Sequence, residues 1–119
     1  MADLVDLPDG WRATFEQAYD WLCIRLHPPG GPGQWRLAER LWAEIQCVHG
    51  RRVVLEMDEV SFFPSALMGE LVRLHKRLAM AGGVLHLSAL QPHPHEAMHM
   101  SRLDEVLPCF ASRTEAMGH

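Results

Sequence analysis

The chain has 119 residues, of which 48% are hydrophobic and 22% are charged. This length and composition are typical of one folded domain with a single core, and they exclude a disordered tail. Acidic and basic residues are interspersed and the formal net charge is −4. The sequence therefore lacks the basic surface that binding to a nucleic-acid backbone requires.

The N-terminus and the cysteines predict a cytoplasmic protein. Residues 1–10 carry acids where a secretory signal carries lysine or arginine, and no apolar run is long enough to span a bilayer. Cys23, Cys47 and Cys109 are odd in number and far apart, which argues against a disulfide framework and a thiolate metal site. We expect them to be buried or half-buried apolar residues. We also expect a flexible N-terminus over residues 1–10 and no cofactor.

The first third of the chain predicts strands followed by a loop. Residues 21–26 (WLCIRL) form a short apolar run that indicates a strand. Residues 11–19 fit either a strand or a helix, and we assign them to a strand. The helical alternative rests on an apolar stripe of Trp11, Phe15, Tyr19 and Leu22. Residues 27–33 (HPPGGPG) predict an exposed loop, because proline and glycine disfavour regular structure.

A helix is predicted over residues 34–48. Charged residues lie away from its apolar stripe, which consists of Ala38, Leu41, Trp42, Ile45 and Val48. Trp35 and Trp42 are seven residues apart and therefore share a face of this helix. We interpret both as core residues, whereas an exposed tryptophan here would be a candidate anchor for a partner.

The middle of the chain predicts two strands with a helix between them. Residues 52–57 (RVVLEM) and 84–88 (VLHLS) are short apolar runs typical of buried strands. The helix between them has an apolar stripe of Leu67, Leu71, Leu74 and Leu78. Gly82 and Gly83 follow in the positions that a helix C-cap favours. Residues 75–77 (HKR) form a basic cluster, which is either a solvated face or a contact for an acidic partner surface.

The end of the chain predicts short elements. Residues 94–101 favour a helix, 106–110 a strand, and 113–117 a second short helix. Strands that alternate with helices indicate an α/β domain whose strands are partly parallel, because each helix then serves as a crossover.

Residues 95–99 (HEAMH) match the helical zinc motif in which two histidines bind the metal and the glutamate between them acts as base. The two histidines are His95 and His99. A zinc hydrolase also needs a third protein ligand. The available residues downstream are Glu115 and His119, so a zinc hydrolase is a remote alternative.

Residues 53–90 (VVLEMDEVSFFPSALMGELVRLHKRLAMAGGVLHLSAL) combine a strand, a turn, an amphipathic helix, a double glycine and a second strand. In this order they resemble the STAS domain of bacterial anti-sigma factor antagonists. That family has a phenylalanine and then an Asp-Ser-Ser/Thr-Gly-Leu-Gly turn before the helix. Phe62 corresponds to the phenylalanine, Ser65 to the first serine and Gly69 to the last glycine.

The resemblance continues through residues 91–110 (QPHPHEAMHMSRLDEVLPCF), and in total it covers residues 50–117. It implies a single STAS-type α/β domain over residues 1–119, with a mixed sheet of four or five strands packed on one side by helices. It also implies that Met98 and Met100 lie on the buried side of their helix. The histidines and the glutamate of HEAMH would then face solvent.

The resemblance further implies a role in partner switching. An unphosphorylated antagonist of this family binds an anti-sigma factor, itself an ATP-dependent serine kinase, and so releases a sigma factor. Phosphorylation of the first serine of the turn ends the binding, and in this chain that serine is Ser65. The surface implied to bind the kinase consists of Phe63, Pro64, Ser65, Ala66, Met68 and Gly69.

Two interpretations of Ser65 follow from its position alone. It lies at the predicted start of a helix, where unpaired N–H groups and the positive end of the helix dipole can receive a phosphate. A phosphoserine adds about −1.5 to −2 charges, enough to disrupt an apolar or acidic interface. The alternative is that Ser65 only caps the helix, which stabilises it by about 1 kcal/mol over alanine.

The turn departs from the family pattern at three positions. Pro64 replaces the aspartate, Ala66 the second hydroxyl residue, and Leu67 the following glycine. Proline fixes its own φ angle, and a kinase would have to accept Pro-Ser-Ala. The second functional hypothesis is therefore a STAS accessory subunit of a transporter or signalling scaffold that is not phosphorylated. Under both hypotheses the protein binds a partner and is not an enzyme.

Overall fold

A computed structural model describes residues 3–30, 36–47 and 51–118. The strands are β1 (Asp3–Asp6), β2 (Arg12–Ala18), β3 (Trp21–His27), β4 (Arg52–Glu56), β5 (Val84–Ser88) and β6 (Cys109–Phe110). The helices are α1 (Ala38–Gln46), α2 (Ser65–Met80), α3 (Pro92–Met100) and α4 (Arg113–Ala116), with short 3-10 helices at Pro8–Gly10 and Leu103–Glu105.

The six strands form one mixed sheet in the order of the sequence, β1 to β6. The pairs β1–β2 and β2–β3 are antiparallel, and each later pair is parallel. Every parallel pair is joined through a helix, as parallel strands require: α1 follows β3, α2 follows β4 and α3 follows β5. The predicted α/β class with a mixed sheet is confirmed, although the sheet has six strands where four or five were predicted.

The main core lies between one face of the sheet and helices α1, α2 and α3. The predicted apolar stripe of α2 is confirmed, because its four members, Leu67, Leu71, Leu74 and Leu78, are each at most 1% exposed. Burial of one such side chain contributes about 1.5–3 kcal/mol. From α1, Leu41 and Ile45 enter the same core, while Trp42 is half-buried at its margin.

The second face of the sheet is covered in part by α4. A smaller cluster there joins Trp21, Cys23 and Val54 to Ala116 of α4. The prediction placed the helices on one side of the sheet, and α4 is the exception. Further along β2 and β3 this face carries Arg12, Thr14, Arg25 and His27, which are exposed or half-buried. We call these four residues the open face.

The N-terminal segment differs from its prediction. Residues 3–10, expected to be flexible, form β1 and a 3-10 helix, because β1 pairs with β2 along its whole length. The strand assigned to residues 11–19 is confirmed by β2. In the Pro/Gly loop predicted over residues 27–33, residues 28–30 lack regular structure, as predicted, whereas His27 is the last residue of β3. Residues 31–33 of the loop lie outside the described residues, as do Trp35 and Val48.

Two further predictions are corrected, one for the last strand and one for a cysteine. The last strand is limited to Cys109–Phe110, because a 3-10 helix and a turn occupy the preceding residues. Cys23 is buried and Cys109 half-buried as expected, but Cys47 is exposed. Cys47 directly follows the last residue of α1, away from the stripe that enters the core.

Helix α2 ends at the predicted double glycine. The N–H of Gly83 donates to the carbonyl of Leu78 over 2.7 Å, and Gly82 has φ +81°, a left-handed conformation that favours glycine at a helix end. A Cβ atom on Gly83 would lie 2.1 Å from the carbonyl oxygen of Arg51. Glycine is therefore needed here so that the chain can pass close to the start of β4.

Candidate functional site

The segment between β4 and α2, residues 57–64, carries the predicted site and is fixed at its start by the backbone. We call it the β4–α2 segment. The N–H of Met57 donates to the carbonyl of Ser88 over 2.9 Å, and the N–H of Val60 donates to the carbonyl of Met57 over 3.0 Å. The second bond closes a turn whose two central residues are Asp58 and Glu59.

Side chains from two other elements hold this turn. Arg25 of β3 pairs with Asp58 over 3.2 Å, and the Nδ1 atom of His27 lies 2.9 Å from Glu59 Oε2. Gln91, the N-cap residue of α3, donates from its amide to the carbonyl of Asp58 over 2.8 Å. The turn is thus tied both to the open face of the sheet and to the start of α3.

Ser65 is the first residue of α2 and is exposed. The N-cap position belongs to Pro64, whose φ and ψ are −70° and 159°, and it has no side-chain cap. The N–H groups of Leu67 and Met68 donate to the Pro64 carbonyl over 3.0 and 3.1 Å. The interpretation of Ser65 as the capping residue is therefore wrong, because proline takes that place and presents the serine hydroxyl one position later.

Five of the six residues predicted to form the partner surface are exposed or half-buried. Pro64 and Met68 are half-buried, and Ala66 and Gly69 are exposed. Phe63 is only 4% exposed because it packs into the main core, so its assignment to this surface is wrong.

The exposed aromatic residue of the segment is the neighbouring Phe62. It is 64% exposed, and its ring stacks on His93 of α3 with 6.2 Å between the centroids. This phenylalanine, the one matched to the family's aromatic position, is therefore exposed three residues before Ser65 and contacts α3.

Helix α3 flanks the start of α2. The hydroxyl of Ser101 lies 3.8 Å from the sulfur of Met68, which places the end of α3 beside the first turn of α2. Met98 is buried as predicted, but Met100 is 77% exposed. The prediction for Met100 is wrong because two residues correspond to about 200° of rotation around a helix, so both methionines cannot face the core.

The HEAMH residues do not assemble a metal site. His95, Glu96 and His99 are exposed, as predicted, and His99 Nδ1 lies 3.1 Å from Asp104. Among residues 3–30, 36–47 and 51–118, no group of three or more His, Cys, Asp or Glu side chains could hold a metal ion. Glu115, one proposed third ligand, accepts a hydrogen bond from the N–H of Ala111 over 3.2 Å. The other, His119, lies outside the described residues.

The basic cluster of α2 is divided between different surroundings. His75 is half-buried, Lys76 is exposed, and Arg77 pairs with Glu39 of α1.

A second contact between α1 and α2, through Glu70, was not predicted. The carboxylate of Glu70 accepts the N–H groups of Leu37 and Ala38 over 2.7 and 3.1 Å. It thereby caps the N-terminus of α1, a role that sequence spacing does not reveal.

An ion-pair network on the second face of the sheet also escaped prediction. Arg113 of α4 donates to both carboxylate oxygens of Glu56 over 2.8 and 3.2 Å and to Glu16 over 2.6 Å. The Glu56 side chain is 7% exposed. The Arg113 guanidinium lowers the pKa of Glu16, and the hydrogen bonds to Glu56 and Glu16 raise the pKa of Arg113 against the effect of its burial. This network attaches α4 to the sheet.

Two of the thiols are kept protonated by their surroundings. Burial raises the pKa of Cys23, and burial together with Asp104 raises the pKa of Cys109 to about 11. The thiolate is the nucleophilic form of cysteine. Cys23 and Cys109 therefore ionise less readily than a free thiol, as expected for residues that pack in or against the core.

Comparison with known proteins identifies the family of this chain. The family model for the STAS domain matches residues 35–116. The chain belongs to the STAS domain family. None of the curated protein sequences matches it significantly.

Several solved structures share the fold at low sequence identity. An anti-sigma factor antagonist (STAS) domain protein from Planctomyces limnophilus superposes with a TM-score of 0.72 at 23% identity, over 88% of this chain and 94% of that one. An anti-sigma factor antagonist from Mycobacterium paratuberculosis has a TM-score of 0.68 at 19% identity, over 95% and 96%. A chain of the stressosome, a signal integration and transduction hub, has a TM-score of 0.68 at 14% identity, over 87% and 91%.

In the part of this STAS domain that the structure describes, no helix has the length and apolar character needed to cross a bilayer.

Proposed function

We propose that this STAS protein is an anti-sigma factor antagonist that works by partner switching. It binds an anti-sigma serine kinase in the cytoplasm through the surface formed by Phe62, Pro64, Ser65, Ala66, Met68 and Gly69. Phosphorylation of Ser65 ends the binding. The protein contributes a binding surface and no catalytic group, and the ATP and magnesium belong to the kinase.

The observation that carries this proposal is the position of Ser65. Ser65 is exposed as the first residue of α2, three residues after the exposed Phe62 and in the same helix as the small, exposed residues Ala66 and Gly69. The first turn of α2 has no acidic residue, so this part of the surface is uncharged until a phosphate is added. A phosphate would bring about −1.5 to −2 charges into an interface built on apolar and small groups.

Affinity capture from the native cell lysate tests the switch. The baits are wild type, Ser65→Ala and Ser65→Glu, with Ser61→Glu as a matched control because Ser61 is an exposed serine of the same segment. We expect an anti-sigma kinase to be retained by wild type, Ser65→Ala and Ser61→Glu and lost from Ser65→Glu. The purified kinase with ATP and magnesium should then phosphorylate wild type but not Ser65→Ala.

A second candidate function is a STAS subunit that is not phosphorylated and belongs to a signalling scaffold or a transporter. The likeness to the stressosome chain supports the scaffold form, and Pro64 in place of the family's aspartate supports the absence of phosphorylation. In that case wild type and Ser65→Glu would capture the same scaffold or transporter component, and no kinase would modify Ser65.

A further inference from the structure

We propose that Arg25 and His27, on the open face of the sheet, position the β4–α2 segment and therefore set how Phe62 and Ser65 are presented. The biological meaning of this role rests on the proposed function, because Phe62 and Ser65 belong to the proposed partner surface. The positioning itself is a property of the isolated protein.

The two contacts hold adjacent residues of one turn from one strand. Arg25 and His27 are two residues apart on β3, so their side chains leave the same face of the sheet. Arg25 pairs with Asp58 over 3.2 Å and His27 with Glu59 over 2.9 Å. Asp58 and Glu59 are the central residues of the turn that the Val60 N–H closes. Both central residues of the turn are therefore bound by side chains of β3.

The orientation of the His27 ring is itself fixed by β2. Its Nε2 atom lies 2.6 Å from the hydroxyl oxygen of Thr14. A carboxylate can only accept, which assigns an N–H donor to Nδ1 facing Glu59; Nε2 of the neutral ring then accepts from the Thr14 hydroxyl. The hydrogen bond from Thr14 thus orients the ring so that Nδ1 faces Glu59. Together, the two hydrogen bonds of His27 connect β2, β3 and the β4–α2 segment.

The position of the turn is transmitted to the partner surface by the residues that follow it. Val60 and Phe63 are buried in the main core, while Phe62 between them faces outward onto His93. Val60 closes the turn and only Ser61 separates it from Phe62, so a shift of the turn that moves Val60 also displaces the ring relative to α3. Gln91 adds a second route, since it joins the turn to the start of α3.

Arg12 provides a matched control on the same face. It lies directly opposite His27 across the β2–β3 ladder, but its guanidinium pairs with Asp6 of β1 over 3.2 Å. Its partner is therefore on the edge strand and not in the segment. Replacing Arg12 removes the same kind of exposed ion pair without touching the turn.

The test uses the purified protein alone and reads the segment in two ways. Amide hydrogen exchange at Val60 reports the opening of the turn, and limited chymotrypsin cleavage after Phe62 reports access to the segment, since Pro64 protects the bond after Phe63. We expect Arg25→Gln and His27→Ala to raise both rates roughly three- to tenfold. Arg12→Gln should leave both rates unchanged. The exchange rate of the Leu55 amide, in β4, is the internal control and should be the same in every variant.

Two conservative replacements separate positioning from general packing. In His27→Asn the amide stands near the place of Nδ1 and can still reach Glu59, whereas in His27→Gln it stands near Nε2 and can reach only Thr14. We expect the asparagine variant to behave as wild type and the glutamine variant as His27→Ala. The reverse order, or unchanged rates in all variants, would overturn the positioning role. Capture of no kinase by wild type would refute the proposed function and leave this result intact.

Discussion

The adjacent residues Phe62 and Phe63 have opposite surroundings. Phe63 packs into the core, so Phe63→Ala should reduce the free energy of unfolding by about 3–5 kcal/mol, the usual loss when a buried phenylalanine is truncated. Phe62→Ala removes an exposed ring and should change it by less than about 0.5 kcal/mol, while weakening capture of the partner. Urea unfolding and the capture assay measure the two effects. Equal destabilisation by both variants would contradict this division.

The sequence could not distinguish these two rings. They are chemically identical neighbours in a segment with no helical or strand period, so no pattern indicates which one faces the core. The long-range side-chain pairs were equally inaccessible. Glu70 caps a helix 33 residues upstream, and Arg113 meets Glu56 from 57 residues away and Glu16 from 97. Only the fold brings these groups together.

Arg113 is the next residue whose loss should be costly. Arg113→Ala leaves Glu56 as a nearly buried carboxylate, with Arg25 at 3.6 Å as its remaining cation. We expect a loss of about 2–3 kcal/mol in unfolding free energy, below the full value for a buried pair because Arg113 is partly exposed.

A double-mutant cycle checks the origin of that loss. In a Glu56→Gln background no buried charge is left unpaired, so Arg113→Ala should be distinctly less damaging. A loss of the same size in both backgrounds would assign the effect to packing of the arginine side chain. Arg12→Ala, which breaks an exposed pair, is the reference and should stay within about 0.5 kcal/mol.

At the scale of elements, regular hydrophobic spacing was sufficient for most of the fold. The apolar runs of β3, β4 and β5 and the leucine stripe of α2 were visible because burial imposes their period. Strand β1 was missed because its four residues (DLVD) begin and end with acids and so show no apolar pattern. It forms a strand because it pairs with β2. The last strand was predicted too long for the opposite reason, since the apolar residues 106–107 form a turn and a bend that follow a 3-10 helix.

The connection from α2 to β5 gives a test at this scale. Gly83→Ala would place a Cβ 2.1 Å from the backbone oxygen of Arg51, so the start of β4 or the helix end must move. We expect a loss of more than about 2 kcal/mol. Gly82→Ala meets no atom within 4 Å and should lose only about 1 kcal/mol, from its left-handed backbone. Thermal or urea unfolding of both variants measures the difference, and a larger loss at Gly82 would contradict it.

At the scale of the whole molecule, the order of elements predicted the α/β class, but not which surfaces are covered. The alternation of strands and helices required a partly parallel sheet. Nothing in the local pattern placed α4 on the second face, because its four residues are too few to show an apolar stripe. It is held there by Arg113, by Ala116 in the small core, and by His86, whose Nδ1–H donates to the Ala116 carbonyl over 2.8 Å.

Because Glu16 pairs with Arg113 of α4, the free energy of unfolding depends on pH. Arg113 lowers the pKa of Glu16 in the folded protein, so the unfolded chain takes up a proton at a higher pH than the folded chain does. The stabilisation is complete above the ordinary glutamate pKa and is lost as the pH falls through the lowered, folded-state value. Urea unfolding across this acidic range should show a shallower pH dependence in Glu16→Gln than in wild type. Identical slopes would exclude a contribution from Glu16.

The edge strand β1 has a consequence for how copies of the protein meet in a concentrated cell. An unpaired sheet edge is a template on which another chain can add a strand, and proteins counter this with charged residues at the edge. Asp3 and Asp6 are both exposed on β1, so two molecules approaching along this edge bring carboxylates against each other. The charges on β1 therefore disfavour the addition of a strand from a second molecule at this edge, which is the first step of fibre formation.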